Sequence, residues 1–222
     1  MEDLLPFLEK HPLFAGLDRR ALQDVATHMA RRTARRDEQI LLEGERSDSA
    51  YFIARGRVRV YRLAPNGREQ ALMDLGPGQV FNLVAAVDGL PAPSSAVARA
   101  DAELYSLSRE SFAGLMGRHP TIALAALRDF AVRLRQLTGL VEELALHTVA
   151  ERLARLLLRM SDPQQAPAER FTQQELANQL GTVREVVSRT LRDFEKDGLI
   201  RFDRHRIIIV DRERLSALAL GV

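Results

Sequence analysis

Arg184, Glu185, Ser188 and Arg189 lie within about one and a half turns of a helical pattern. At that spacing they share one face, and each residue type can form directed hydrogen bonds to a polar edge. An arginine fork bonds guanine O6 and N7 together, a carboxylate accepts from cytosine N4, and a serine hydroxyl serves either a base edge or a phosphate. Thr182 and Arg192 flank the set. The competing interpretation is a solvated helix face, because Arg and Glu three or four residues apart also pair within a helix for only ~0.2–0.5 kcal/mol.

Something must present that face. Thr172 followed by Glu175 is a capping box, so a helix begins near Gln173 with Leu176, Ala177 and Leu180 as its apolar side. Gly181 supplies the left-handed backbone of a tight helix–helix turn, and Ala177 is small enough for a second helix to cross closely. Beyond the turn, Val183, Val186, Val187, Thr190, Leu191 and Phe194 recur at helical spacing as the inward set. That leaves Arg184, Glu185, Ser188, Arg189 and Arg192 facing outward, the arrangement of a DNA-reading helix-turn-helix. Asp197-Gly198 then stops the helix, and two strand-like runs between Leu199 and Val210 surround a polar turn at Asp203 to His205, like the wing of a winged helix-turn-helix. Arg201, Arg204, His205 and Arg206 sit where a wing meets phosphates, although an ordinary charged hairpin accounts for them equally well.

Upstream, residues 1 to about 30 carry helical patterns (Leu4, Leu5, Phe7, Leu8; Leu22, Val25, Ala26, Met29), and residues from about 37 to 110 read as short strands punctuated by glycine. Tyr51 to Tyr61 alternates, with Val58 and Val60 on one face and Arg57, Arg59 and Tyr61 on the other; Pro65-Asn66-Gly67 and Leu75-Gly-Pro-Gly78 mark sharp turns. The spacing predicts a small β-barrel or roll. From Thr121 onward Ala123, Leu127, Phe130, Leu134, Leu137, Val141 and Leu144 recur in alternating steps of four and three, a heptad seam that predicts a homodimer. The alternative is a stripe that docks on the roll, since Ile122, Leu124, Ala126 and Leu140 are apolar too. A second capping box, Thr148 to Glu151, starts a new helix and puts a joint at His147 and Thr148, where a seam could set two recognition helices one DNA turn, ~34 Å, apart. Asp162 to Glu169 reads as a surface loop.

At 222 residues with 46% hydrophobic content, the chain can build two cores. Its formal charge is only +2 despite a pI near 9.4, so placement of the basic residues must carry any argument for nucleic acid. Lys10 and Lys196 are the only lysines; arginine supplies the rest. The absence of cysteine excludes disulfides, thiolate metal sites, thiolate-held iron–sulfur clusters and cysteine nucleophiles. No apolar run reaches the ~18–20 residues of a membrane span and no signal peptide opens the chain, so a cytoplasmic protein without membrane partners is expected. Catalytic spacings of Ser, His and Asp, a P-loop, a metal-binding histidine cluster and a dinucleotide-binding glycine motif are all missing, which leaves an enzyme without support.

The order β-roll, long helix, winged helix-turn-helix resembles the CRP/FNR family of bacterial transcription regulators over nearly the whole chain. The resemblance is carried by Gly44-Glu45, Tyr51-Phe-Ile with Gly56, Leu75-Gly-Pro-Gly78 with Phe81, and Gly181-Thr-Val-Arg-Glu-Val-Val-Ser-Arg189. It implies an α+β fold with an effector domain at 1–118 (a cyclic-nucleotide-binding-like β-roll and N-terminal helices), a dimerisation helix at 119–147 and a winged helix-turn-helix at 148–222. It also implies a palindromic duplex with TGTGA- or TTGAT-like half-sites as partner, read by Arg184, Glu185 and Arg189 or by Glu185, Ser188 and Arg189, and RNA polymerase as a second partner. The departures concern the effector. Where cyclic AMP-binding members carry Phe-Gly-Glu-Leu and Arg-Ser/Thr-Ala, this chain has Phe81-Asn82-Leu83-Val84 and Pro93-Ser94-Ser95-Ala96. Leu83 replaces the ribose-binding glutamate and Ser94 the phosphate-binding arginine, and a desolvated phosphate without a cation costs several kcal/mol. Cyclic AMP is therefore disfavoured. An effector pocket bounded by Asn82, Leu83, Ser94, Ser95 and Leu134 or Leu137 remains open to another small molecule. Haem remains open too, with His11, His28, His119 and His147 as candidate ligands and nitric oxide or carbon monoxide as the signal. A ligand-binding signalling module that docks on protein instead of DNA is the alternative of another class.

Overall fold

A computed structural model describes residues 4–161, 172–203 and 206–221. The chain falls into two compact units that divide at 62/63, 71/72 and 137/138. The first begins with helices α1 (Leu4–Lys10) and α2 (Arg19–Thr27) and continues through strands β1 (Met29–Ala34), β2 (Gln39–Leu41), β3 (Ser49–Leu63), β4 (Glu69–Leu75) and β5 (Val80–Phe81). Short α3 (Leu83–Asp88), strand β6 (Ser95–Ser108), helix α4 (Arg109–Arg118) and long helix α5 (Pro120–Leu146) follow, with β4 crossing the division at 71/72 and α5 that at 137/138. The sheet runs β1-β6-β3-β4, with β2 also on β6 and β5 also on β3. Met29, read as the end of a helical stripe, instead opens β1 opposite Leu107, because α2 closes at a His28 cap.

β3 separates two apolar clusters, which explains why Tyr51, Phe52 and Ile53 are all buried. Ala50 and Phe52 pack with Leu8, Phe14, Leu22, Phe112 and Ile122 from the helices. Tyr51 and Ile53 pack inside the roll with Leu75, Phe81 and Leu104. Val58 and Val60 join that same inner cluster although their numbering has the opposite parity. Irregular register between Ile53 and Val58 against β6 causes the flip, since each bulge shifts which face a side chain meets. The face opposite Val58 and Val60 is of mixed exposure, with Arg57 exposed, Tyr61 half-buried and Arg59 buried. Arg59 is only 3% exposed, and its Nε and Nη2 donate to the two carboxylate oxygens of Asp74 at 2.8 and 3.1 Å. A planar fork matched to a carboxylate makes that burial tolerable.

Gly56 sits at the centre of these bulges with φ +89°, and a Cβ there would lie 2.6 Å from Ala102 Cα and against the Asp101 carbonyl. Both obstacles are backbone, so Gly56→Ala is expected to lose about 3 kcal/mol through left-handed strain and overpacking together. Urea unfolding of the variant measures it; an unchanged midpoint would show that β6 can yield.

His11 is buried at 2% exposure between Phe7, Phe14 and Phe52, with ring centroids 5.1–5.5 Å away. Its Nδ1 accepts from the Leu13 backbone N–H at 3.1 Å, which requires the neutral ring. Burial lowers its pKa from the ordinary 6.5 to about 4, with Asp129 opposing more weakly. A pKa depressed in the folded state means that the unfolded chain takes up a proton the folded chain refuses. Stability from this group is thus complete above pH 6.5 and declines as pH falls towards 4. Between pH 7 and 5 the expected loss is about 2 kcal/mol, removed in His11→Leu, and paired urea titrations at the two pH values test it.

The second unit holds residues 63–71 with the C-terminal part of the chain. Its helices are α6 (Val149–Met160), α7 (Gln173–Leu180), α8 (Arg184–Lys196) and α9 (Arg212–Leu220), with a hairpin of β7 (Ile200–Asp203) and β8 (Arg206–Ile209). Leu153, Leu157, Leu176, Leu191, Phe194 and Leu215 are among the residues of its core. Asp162 to Glu169 and the wing residues Arg204 and His205 lie outside the described residues.

Candidate nucleic-acid interface

Two capping boxes start α6 and α7: Thr148 and Thr172 each accept from the N–H three residues on, and Glu151 and Glu175 each return a bond to the cap. α7 stops at Gly181, whose φ of +62° is the left-handed turn that the sequence requires. The Gly181 and Thr182 N–H groups both converge on the Ala177 carbonyl, and Ala177 itself is fully buried. α8 then enters the core through Val187, Leu191 and Phe194, while Thr190 is half-buried with its hydroxyl donating to the Val186 carbonyl at 2.9 Å.

The opposite face of α8 carries the expected readers. Arg184, Glu185, Arg189 and Arg192 are exposed, and Ser188 and Thr182 are half-buried. Arg192 Nε donates to the Ser188 carbonyl at 3.3 Å. Among the described residues Arg184, Glu185 and Arg189 make no ion pair or side-chain hydrogen bond, so Glu185 and Arg189 stay separate despite their i, i+4 spacing. A face of unpaired donors and acceptors keeps its hydrogen-bonding capacity for a ligand instead of spending it within the helix. Val183, placed inward by helical spacing, is instead 45% exposed, because as N-cap it has extended backbone (φ −103°, ψ 152°) and its side chain leaves the helical register. It offers no capping bond. The hairpin pairs Ile200 with Ile209 and Phe202 with Ile207; Arg201 and Phe202 are exposed.

On α5, Ile122 and Ala126 are buried and Phe130 packs against the same core, being one further step of four along that face. Leu127, Leu134, Leu137, Val141 and Leu144 are exposed, Leu134 at 67%. The helix thus has two apolar stripes, one docked and one open, and Phe130 of the expected seam belongs with the docked one.

The five residues expected to bound an effector pocket have dissimilar surroundings. Leu83 is 2% exposed and packs into the helix-side core with Phe52 and Val80. Asn82 adopts φ +57°, the conformation natural to glycine, and its Nδ2 donates to the carbonyls of Ser47 and Ser49 at 3.1 and 2.9 Å. Ser95 is buried and accepts from the Glu43 N–H; Ser94 is half-buried; Leu134 faces outward. Arg133 of α5 binds Asp129 and donates to the Val80 carbonyl. Of the histidines, His28 and His119 both meet Asp24, His147 meets Glu151, and His11 is the ring enclosed by phenylalanines. Arg118 chiefly holds the Asp24 carboxyl below its usual range. Among the described residues no group of three or more His, Cys, Asp or Glu could hold a metal ion. None of the described helices is long and apolar enough to cross a membrane.

Residues 31–119 match the model of the cyclic nucleotide-binding domain, and residues 151–218 match that of the Crp-like helix-turn-helix domain. The chain is 31% identical to a CRP-like cAMP-activated global transcriptional regulator of Mycobacterium tuberculosis, over 96% of this chain and 98% of that protein. It belongs to the CRP/FNR family of transcription regulators. A cyclic AMP receptor protein of Thermus thermophilus is 32% identical, over 95% of this regulator and 98% of the relative. Among solved structures, the catabolite activator protein of Thermus thermophilus shares 30% identity, with a TM-score of 0.56 over 95% of this chain and 99% of that one. A transcriptional regulator of the CRP/FNR family from Eubacterium rectale gives a TM-score of 0.79 at 24% identity, covering 94% and 98%, a likeness of fold. The family is one of DNA-binding regulators and not of enzymes, and in this member the Crp-like domain spans α6 to α9 with the exposed polar face of α8 inside it.

Proposed function

We propose that this regulator acts as a homodimer that inserts the head of α8 from each protomer into successive major grooves of a palindromic duplex. The observation that carries the reading is the set Arg184, Glu185 and Arg189, exposed and without side-chain partners among the described residues. Ser188, Thr182 and Arg192 supply backbone or secondary base contacts from the same face, and the open stripe Leu127, Leu134, Leu137, Val141 and Leu144 is the dimer seam. RNA polymerase is the partner through which binding alters transcription in the cytoplasm.

The curated relatives at 31 and 32% identity are named for cAMP, but the residues here do not fit that ligand. Leu83 is an apolar side chain packed into the core at the position where the family resemblance places a ribose-binding carboxylate. Ser94 brings no charge to a phosphate, and the guanidinium of Arg133 is already engaged by Asp129 and Val80. The effector compatible with these residues is a small molecule other than cAMP.

Fluorescence anisotropy against a palindromic duplex in a salt series tests the DNA-reading role. Affinity should fall linearly with salt on logarithmic axes, as phosphate neutralisation releases counterions, and should exceed that for a scrambled duplex. Binding that is indifferent to both salt and sequence would assign the C-terminal unit to a protein partner.

A further inference from the structure

We infer that Val183 reads a base, packing its methyl groups on the C5-methyl of a thymine in each half-site. The inference rests on the DNA-reading role proposed above and adds to it an apolar contact that the polar readers cannot supply. Two features of Val183 are unfavourable to the protein alone. It exposes 45% of a branched apolar side chain, and it occupies a capping position without forming a cap bond. α2, α4, α6, α7 and α9 each take a cap bond from Asp18, Ser108, Thr148, Thr172 or Asp211. Serine or threonine would stabilise α8 in the same way.

Binding gives both features a purpose. Val183 immediately precedes the exposed pair Arg184 and Glu185, and the N-terminal residues of a recognition helix are those that reach base edges. Among the groups lining the major-groove edges of the four bases, the thymine methyl is the apolar one. An exposed valine at this point therefore has one complementary partner in the groove, and the polar neighbours beside it fix its register.

The test begins by selecting preferred duplexes from a random-sequence pool with the full chain. Each thymine of the selected site is then replaced by uracil, which removes the methyl group alone, and affinities are measured for the wild type, Val183→Ser and Val183→Ala. One symmetry-related thymine should matter to the wild type, its replacement weakening binding about fourfold per half-site, the equivalent of one buried methyl. Val183→Ser should not respond there, Val183→Ala should respond less than the wild type because only one methyl remains, and Val183→Ser should melt no lower than the wild type because it supplies a cap. Wild type and variants responding alike at every thymine, or none responding at any, overturns the inference while leaving the DNA-reading role intact. A pool that yields no enriched sequence overturns both.

Discussion

Leu134→Glu is expected to convert the regulator into a monomer and to lower its affinity for a palindromic site roughly a thousandfold, towards non-specific binding. Leu134 is 67% exposed on the open stripe of α5, with Leu127, Leu137, Val141 and Leu144 along the same side. In a two-strand seam each such leucine contributes about 1.5–3 kcal/mol by burial, and the exchange removes it from both protomers while setting two carboxylates against each other. The fold should survive, because α5 is anchored by Ile122 and Ala126 on its other stripe, and an exposed substitution away from that anchor changes stability by only about 0.5 kcal/mol. Sedimentation velocity and anisotropy measure the two effects, with Leu137→Glu as an independent repeat. Either variant remaining dimeric would remove the stripe from the interface.

Arg189→Ala is expected to weaken specific binding by about 1–3 kcal/mol and to relax preference at one base position. Arg189 is exposed and has no side-chain partner among the described residues, so its loss should leave the melting temperature unchanged and isolate the effect on DNA. Arg189→Lys sharpens the test. Lysine keeps the charge and hence the salt dependence, but a single ammonium cannot reproduce a bidentate fork, so selectivity should fall without a matching change in salt slope. Undiminished selectivity in both variants would reassign Arg189 to the phosphate backbone or to solvent.

Much of the scaffold was legible because it is local. The boxes at Thr148 and Thr172 and the left-handed Gly181 follow from hydrogen bonds and sterics that span three or four residues, and the structure has them where spacing placed them. The outward face of α8 was legible for a related reason, since a helix of fixed period leaves its polar positions opposite its apolar ones. Arg59 was not. Its burial depends on Asp74, which arrives from another strand, and on bulges that alternate patterning cannot register. Phe130 and Leu134 are both apolar members of one heptad pattern; which stripe meets the helix-side core depends on where Ile122 docks. Val183 departs from the helical period because it lies one residue before the point where the backbone becomes helical. The effector residues were the least legible, since Leu83 and Ser94 record what has been lost from the family pattern without specifying a replacement.

The open stripe on α5 has a consequence for how much active regulator a cell contains. If two chains must meet before either can grip a palindrome, the competent population obeys mass action, and in the dilute regime a doubling of synthesis raises it about fourfold. Gene dosage and dilution at cell division would then act as graded inputs to transcription, alongside any small molecule.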